Sequence, residues 1–222
     1  MLLFILSILF AYWFNMEFSL FPKKINQQVY NDYASLNVDH ISKEKFLVQS
    51  NLKNKNIYQS LCLIILFPSI AFISNDHSTL VICILWIIIY LSLLDIAYYL
   101  TDSKYIAVIF FLSICELVEQ SNFVLRENLL NFLFTSLFFF ILHFISNFLF
   151  KKEGLGLGDI LLFIGIAPLF NLHQMLGVIL SACFLGICFF IGYFFITQIK
   201  LSKLPFIPFI AFGVLLIKVV IK

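Results

Sequence analysis

The chain has 222 residues, 62% of them hydrophobic, 18% aromatic and only 12% charged, with a mean hydropathy of +1.04. A soluble domain carries about 25% charged residues, so this chain has too little polar surface to cover a globule in water and reads as an all-α polytopic membrane protein. The low charge excludes a disordered chain, and a net charge of +2 supplies no strong field for nucleic acid as a partner, which leaves membrane lipid as the expected surroundings.

A membrane span needs about 20 apolar residues, fewer where a segment is re-entrant or begins inside a cavity. That criterion predicts about eight transmembrane helices, running roughly Leu2 to Phe21, Ile57 to Ile73, Leu80 to Leu100, Tyr105 to Val118, Leu129 to Phe150, Asp159 to Phe170, Gln174 to Ile199, and Phe206 to Ile221. The first has no Lys or Arg before its apolar run and no small-residue cleavage site after it, so it reads as a retained helix with its N-terminus outside. With alternating spans, eleven basic residues fall inside: Lys23, Lys24, Lys43, Lys45, Lys53, Lys55, Lys104, Lys151, Lys152, Lys200 and Lys203. Three fall outside, Arg126, Lys218 and Lys222, so the bias has the sign that the positive-inside rule requires.

Lys23 to Asn56 is the longest polar stretch and is too short to fold alone, so a partly helical cytoplasmic loop on the membrane surface is expected. The chain therefore divides into residues 1–79, holding the first helix, the loop 23–56 and the second helix, and residues 80–222. The five cysteines, Cys62, Cys83, Cys115, Cys183 and Cys188, lie in apolar runs without CxxC spacing. They read as small hydrophobes, with no metal site, disulfide framework or cofactor implied.

An ionised side chain near the bilayer centre costs about 2.5 to 3.5 kcal/mol, so acids inside spans are informative. Asp32, Asp39, Glu44, Asp76, Glu119, Glu127 and Glu153 fall in predicted loops, and Glu17 and Glu116 lie near span ends, where a structural role is expected. Two acids differ. Asp95 lies inside the third span, and Asp159 directly follows Gly154, Gly156 and Gly158 and opens the sixth. The charge count puts both on the cytoplasmic side. The alternating glycines leave a backbone free to take positive φ and open to close approach. Asp159 alone also reads as a first-turn helix acid, and Gly154 with Gly158 as a small-xxx-small helix contact. Two carboxylates a few ångströms apart share one proton, which is the state an aspartic protease uses to activate water.

The segment KKEGLGLGDILL, Lys151 to Leu162, resembles the GxGD element of the type IV prepilin peptidases, which are intramembrane aspartic proteases. LLDIAYYLTD, Leu93 to Asp102, is similar to that family's first catalytic element, and LPFIPFIAFG, Leu204 to Gly213, to its Pro-rich entry into the last helix. The resemblance runs from about Leu80 to the C-terminus. It implies a catalytic membrane domain over 80–222 of the GxGD protease type, Asp95 and Asp159 as the catalytic pair, and Gly154, Gly156 and Gly158 as backbone support, with Gly156 and Gly158 letting the substrate strand approach. It further implies a prepilin-like or pseudopilin substrate of type IV pilus or type II secretion systems, and a site at the cytoplasmic face of the inner membrane.

Three departures accompany it. Thr101 stands where Pro is usual, so that Asp102 reads as the N-cap of the fourth helix; Leu161 stands where many members have Lys; and the first loop lacks the paired cysteines of many bacterial members. The last implies a peptidase without a cysteine cluster and leaves methyl transfer from S-adenosylmethionine open. His143 is expected to pack with a hydrogen bond to a neighbouring helix, and Gly177, Ser181, Gly186 and Gly192 to mark close helix packing. Two other classes fit the same acids: a proton-coupled transporter, which needs acids along a path through the bilayer, and a non-catalytic relative serving as an assembly factor.

Overall fold

The computed structural model describes residues 2–35, 46–47, 50, 52, 58–73, 78–150, 155–198 and 203–220. Every regular element among them is helical, and each of the eight expected spans coincides with a helix. The chain forms two compact units, Met1–Ser69 and Ile70–Lys222.

In the first unit, helix α1 (Leu2–Ser35) does not stop at Phe21 as hydropathy suggested but continues through Pro22. Its 34 residues make a helix about 50 Å long, against a hydrocarbon core about 30 Å thick, so its polar end extends past the apolar layer. Pro22 removes one N–H from the ladder at this boundary, where Lys23 and Lys24 begin the polar half. Lys24 forms an ion pair with Glu17 two turns back, the structural role expected for that acid. Chain from the polar loop returns onto α1: Phe46 meets the rings of Tyr30 and Tyr33, and Ser50 Oγ donates to Asn26 Oδ1 at 2.7 Å. Asp39 and Glu44 of the loop lie outside the described residues. Helix α2 (Tyr58–Ile73) sets Phe67 edge-on against Phe14, with ring centroids 5.7 Å apart.

The second unit holds α3 (Thr79–Tyr98), α4 (Ser103–Val118), α5 (Asn122–Phe150), α6 (Leu157–Ile166) with a 3-10 turn Ala167–Leu169, α7 (Leu172–Thr197), and α8 (Ile207–Leu215) with a π turn Leu216–Val220. The packing order α3, α4, α6, α5, α7, α8 closes on itself, because α8 returns to α3. Among the described residues four helices are long and apolar enough to cross a membrane, α1, α3, α5 and α7; α2, α6 and α8 are shorter apolar helices. Helix α3 is the central one: 83% of its most apolar window is buried within the protein, against 22% for the other three. A carboxylate near the end of such a helix is surrounded by protein rather than by lipid, which lowers the penalty of carrying it into the membrane.

Two boundaries moved for tertiary reasons. Helix α5 begins at Asn122 rather than near Leu129, so Arg126 and Glu127 are helical. Within this added stretch Asn128 is almost fully buried, and its Nδ2 donates to the Pro168 carbonyl at 3.1 Å. Helix α6 ends at a Pro-containing turn that frees several carbonyls. Asn131 Nδ2 donates to Ala167 O and Phe170 O, at 3.0 and 2.9 Å, and Lys218 Nζ donates to Leu169 O at 3.0 Å. Four consecutive carbonyls, Ala167 to Phe170, are thus satisfied by side chains of α5 and of the α8 π turn, meeting the requirement that backbone away from water be paired.

Helices α7 and α8 pack through small residues. A Cβ on Gly213 would lie 2.6 Å from Ser181 Oγ and 2.9 Å from the Val178 carbonyl; one on Gly177 would lie 2.9 Å from Ile217, and one on Gly186 3.3 Å from Phe206. Gly192, grouped with these on sequence, meets nothing within 4 Å. The reason is register: α8 begins opposite Gly186 and runs back toward Gly177, so Gly192 lies beyond the helix it was expected to touch.

Candidate active site

The C-terminal end of α3 meets the N-terminal ends of α4, α6 and α8 around a cleft of about 790 Å³. Asp95 and Asp159 both line it, and the two carboxyl groups are near enough for their charges to interact.

Asp95 sits three residues before the end of α3. That helix stops because Tyr99 turns into the left-handed region at φ 54°, its N–H donating to the Asp95 carbonyl at 2.9 Å. The Asp95 side chain, 8% exposed, accepts a hydrogen bond at Oδ2 from the Ile207 N–H at 3.1 Å. Helix α8 has Phe206 at its N-cap with no side-chain cap of its own, and the Phe206 and Ile207 N–H groups turn toward Asp95 instead. A helix N-terminus carries partial positive charge, so α8 and Asp95 each satisfy what the other lacks. Sequence reading recognised the Pro-rich entry to this helix but not its partner. The available signal was a helix start with Pro208 in its first turn and Phe206 where Ser, Thr, Asp or Asn would be usual.

Asp159 does not itself open α6. The N-cap is Gly156 and Asp159 is the third helical residue, its carboxylate turned back onto the Gly156 N–H. This is the carboxylate half of a capping box in which glycine leaves the other half empty. A Cβ on Gly156 would lie 3.1 Å from Asp159 Oδ2, so the missing side chain makes room for the carboxylate. The expectation of positive φ is not met: no described glycine has one, and Gly156 lies at φ −61°, ψ 140°. Absence of a side chain, rather than left-handed freedom, is what these glycines supply. At Gly158 the space is taken by Thr101, whose Oγ1 would lie 2.7 Å from an added Cβ. The residue in place of the usual Pro thus packs the α3–α4 connection against the start of α6. Gly154 and Glu153 lie outside the described residues.

Asp102 is the N-cap of α4, accepting from the Lys104 N–H at 3.0 Å. His143 bonds Asn147 through Nε2 at 3.0 Å, so its partner lies one turn along its own helix rather than on a neighbour, as i,i+4 geometry permits. Glu116 is buried and accepts from Ser78 Oγ at 2.5 Å, with Lys218 as its nearby cation. Ser78 caps the start of α3, about 25 Å along that helix from Asp95, so this polar cluster is separate from the cleft. The remaining polar residues of the cleft, missed on sequence, are Tyr99, Ser103 and Lys203.

Two aspartates from different helices, Asp95 on α3 and Asp159 on α6, thus line one cleft of the helical bundle. The family model described as the type IV leader peptidase family matches residues 80–191, half of the chain and the part that holds both aspartates. The chain belongs to that family, and so to the leader-peptidase type of protease. Searches of curated proteins and of solved structures find no match.

Proposed function

We propose that the protein is an intramembrane aspartic endopeptidase that removes the leader of prepilin-like or pseudopilin substrates at the cytoplasmic face of the inner membrane. The observation that carries this is the convergence of Asp95 and Asp159 on one cleft, each held by backbone N–H groups at the start of a helix.

Two neighbouring carboxyl groups hold one proton between them. The ionised member takes a proton from water as the water oxygen attacks the scissile carbonyl, and the protonated member donates to the carbonyl oxygen. Collapse of the tetrahedral diol breaks the C–N bond, and a proton passes from the carboxyl pair to the leaving amine. No covalent enzyme intermediate forms and no cofactor is required. Holding Asp95 on α8 and Asp159 on Gly156 fixes both groups before substrate arrives, which is where such a site gains its rate. The eleven-to-three lysine and arginine bias of the expected loops supports the cytoplasmic orientation.

The test is coexpression with a prepilin-like substrate. Asp95→Asn and Asp159→Asn each abolish leader cleavage while leaving the protein in the membrane; full cleavage by either variant rejects the assignment. Retained phenotype with both aspartates replaced would instead support the assembly-factor reading.

A further inference from the structure

Beside the aspartate cleft lies a second concavity of about 610 Å³ between α5 and α6. Its walls are two facing stripes, Leu133, Leu137 and Phe140 on α5 and Leu157, Leu161 and Ile164 on α6, at the three- and four-residue spacings that keep each stripe on one helix face. Exposed leucines on a membrane helix mean little alone, since lipid tails wet them. Three observations make this surface different.

It is continuous with the cleft, because Leu157 and Leu161 line both. Its two polar side chains are bonded within α5: Ser136 Oγ donates to the Phe132 carbonyl at 2.7 Å, and His143 Nε2 lies 3.0 Å from Asn147 Nδ2. Its axis follows α6 away from Asp159, so polarity falls along one path, from the carboxylates, Thr101, Ser103 and Lys203 to leucine and phenylalanine. A ligand matching that path has a polar peptide segment at the carboxylates followed at once by an apolar helix.

We propose that the α5–α6 groove seats the apolar helix of the substrate on one side of the scissile bond, with Leu161 as the specificity-determining residue at the junction. This rests on the peptidase reading and names the surface that reading lacks. Leu161 stands where a lysine would put a charge between cleft and groove; leucine, 46% exposed, keeps the path apolar from its first residue. The stripe on α5 runs from Leu133 to Phe140, about 10 Å of helix, enough to contact roughly two turns of a partner.

The experiment uses the full chain carrying Asp159→Asn, reconstituted in phosphatidylethanolamine–phosphatidylglycerol vesicles with the prepilin-like substrate of the cleavage test. A photoreactive benzoylphenylalanine replaces Leu137, Leu161 or, as control, Leu180, which lies on α7 outside both concavities and is 68% exposed. Substrate crosslinks at 137 and 161 exceed those at 180 at least fivefold. Equal yields at all three sites, or crosslinks to lipid alone at 137 and 161, overturn the proposal. In parallel, the otherwise wild-type chain with Leu161→Lys shows a KM for the same substrate raised about tenfold; an unchanged KM also overturns it. Loss of cleavage by the wild type rejects the peptidase reading instead, and the crosslinking arm, which needs no cleavage, is still read.

Discussion

Replacing Gly158 by Ala sets two opposing effects against each other. Gly158 is the second helical residue of α6 and has no positive φ, so alanine relieves the backbone entropy cost of glycine and is worth about 0.5–1 kcal/mol of stability. The added methyl, however, falls 2.7 Å from Thr101 Oγ1 and 3.0 Å from Thr101 Cβ, where ordinary contact begins near 3.4 Å. Thr101 lies in the short connection between α3 and α4 and cannot withdraw without moving the ends that carry Asp95 and Asp102. Overpacking of this kind costs about 1–3 kcal/mol. Gly158→Ala is therefore destabilising by up to about 2 kcal/mol in the native background, and stabilising by up to about 1 kcal/mol when Thr101→Gly removes the obstacle. The interaction energy of the cycle is then about 1–3 kcal/mol, measurable by unfolding the four proteins in mixed detergent micelles. Leader cleavage follows the same order, with the single variant impaired and the double variant recovering. An equal effect of Gly158→Ala in both backgrounds would refute the contact and with it the placement of the α3–α4 connection against α6.

Further expectations concern other parts of the second unit. Asp102→Ala loses the N-cap of α4, lowering stability by about 1 kcal/mol while leader cleavage persists; abolished cleavage with intact folding would give Asp102 a chemical role. Asn131→Ala removes a donor from two carbonyls of the turn after α6, leaving Ala167 O with the Phe170 N–H alone, and costs about 1–3 kcal/mol in the same unfolding assay; a neutral result would mean the turn finds other donors. Gly213→Val drives a side chain into the Val178 carbonyl and disrupts α7–α8 packing, whereas Gly192→Val at an open position leaves the melting temperature in detergent unchanged; similar shifts for both would contradict the register of these helices.

Hydropathy made the helical elements legible, because long continuous apolar runs in a bilayer satisfy their own backbone as helices. The same scarcity of charge made Asp95 and Asp159 conspicuous, each an acid where insertion is costly. Glu17 and Asp102 were also readable, since an ion pair and an N-cap are local, formed within two turns of the residue itself.

What the sequence could not carry is everything set by contact between distant segments. Asn128 and Asn131 look like ordinary polar residues of a Phe-rich helix until the broken end of α6 is placed beside them. The partner of Asp95 is a backbone N–H on the last helix, 112 residues away, and no side-chain pattern marks it. The glycines before Asp159 were read both for backbone freedom and for close approach; at Gly156 and Gly158 it is the space that is used, for a carboxylate and for Thr101, and which group fills it is set by packing. Gly192 has the same composition signal as Gly186 and no contact at all, because helix register, not residue type, decides which small residue is approached. Composition thus determined that the chain is helical and which two acids are costly; tertiary packing decided what each acid leans on, since hydrogen bonds and close approaches between helices depend on register and direction that a linear pattern does not encode.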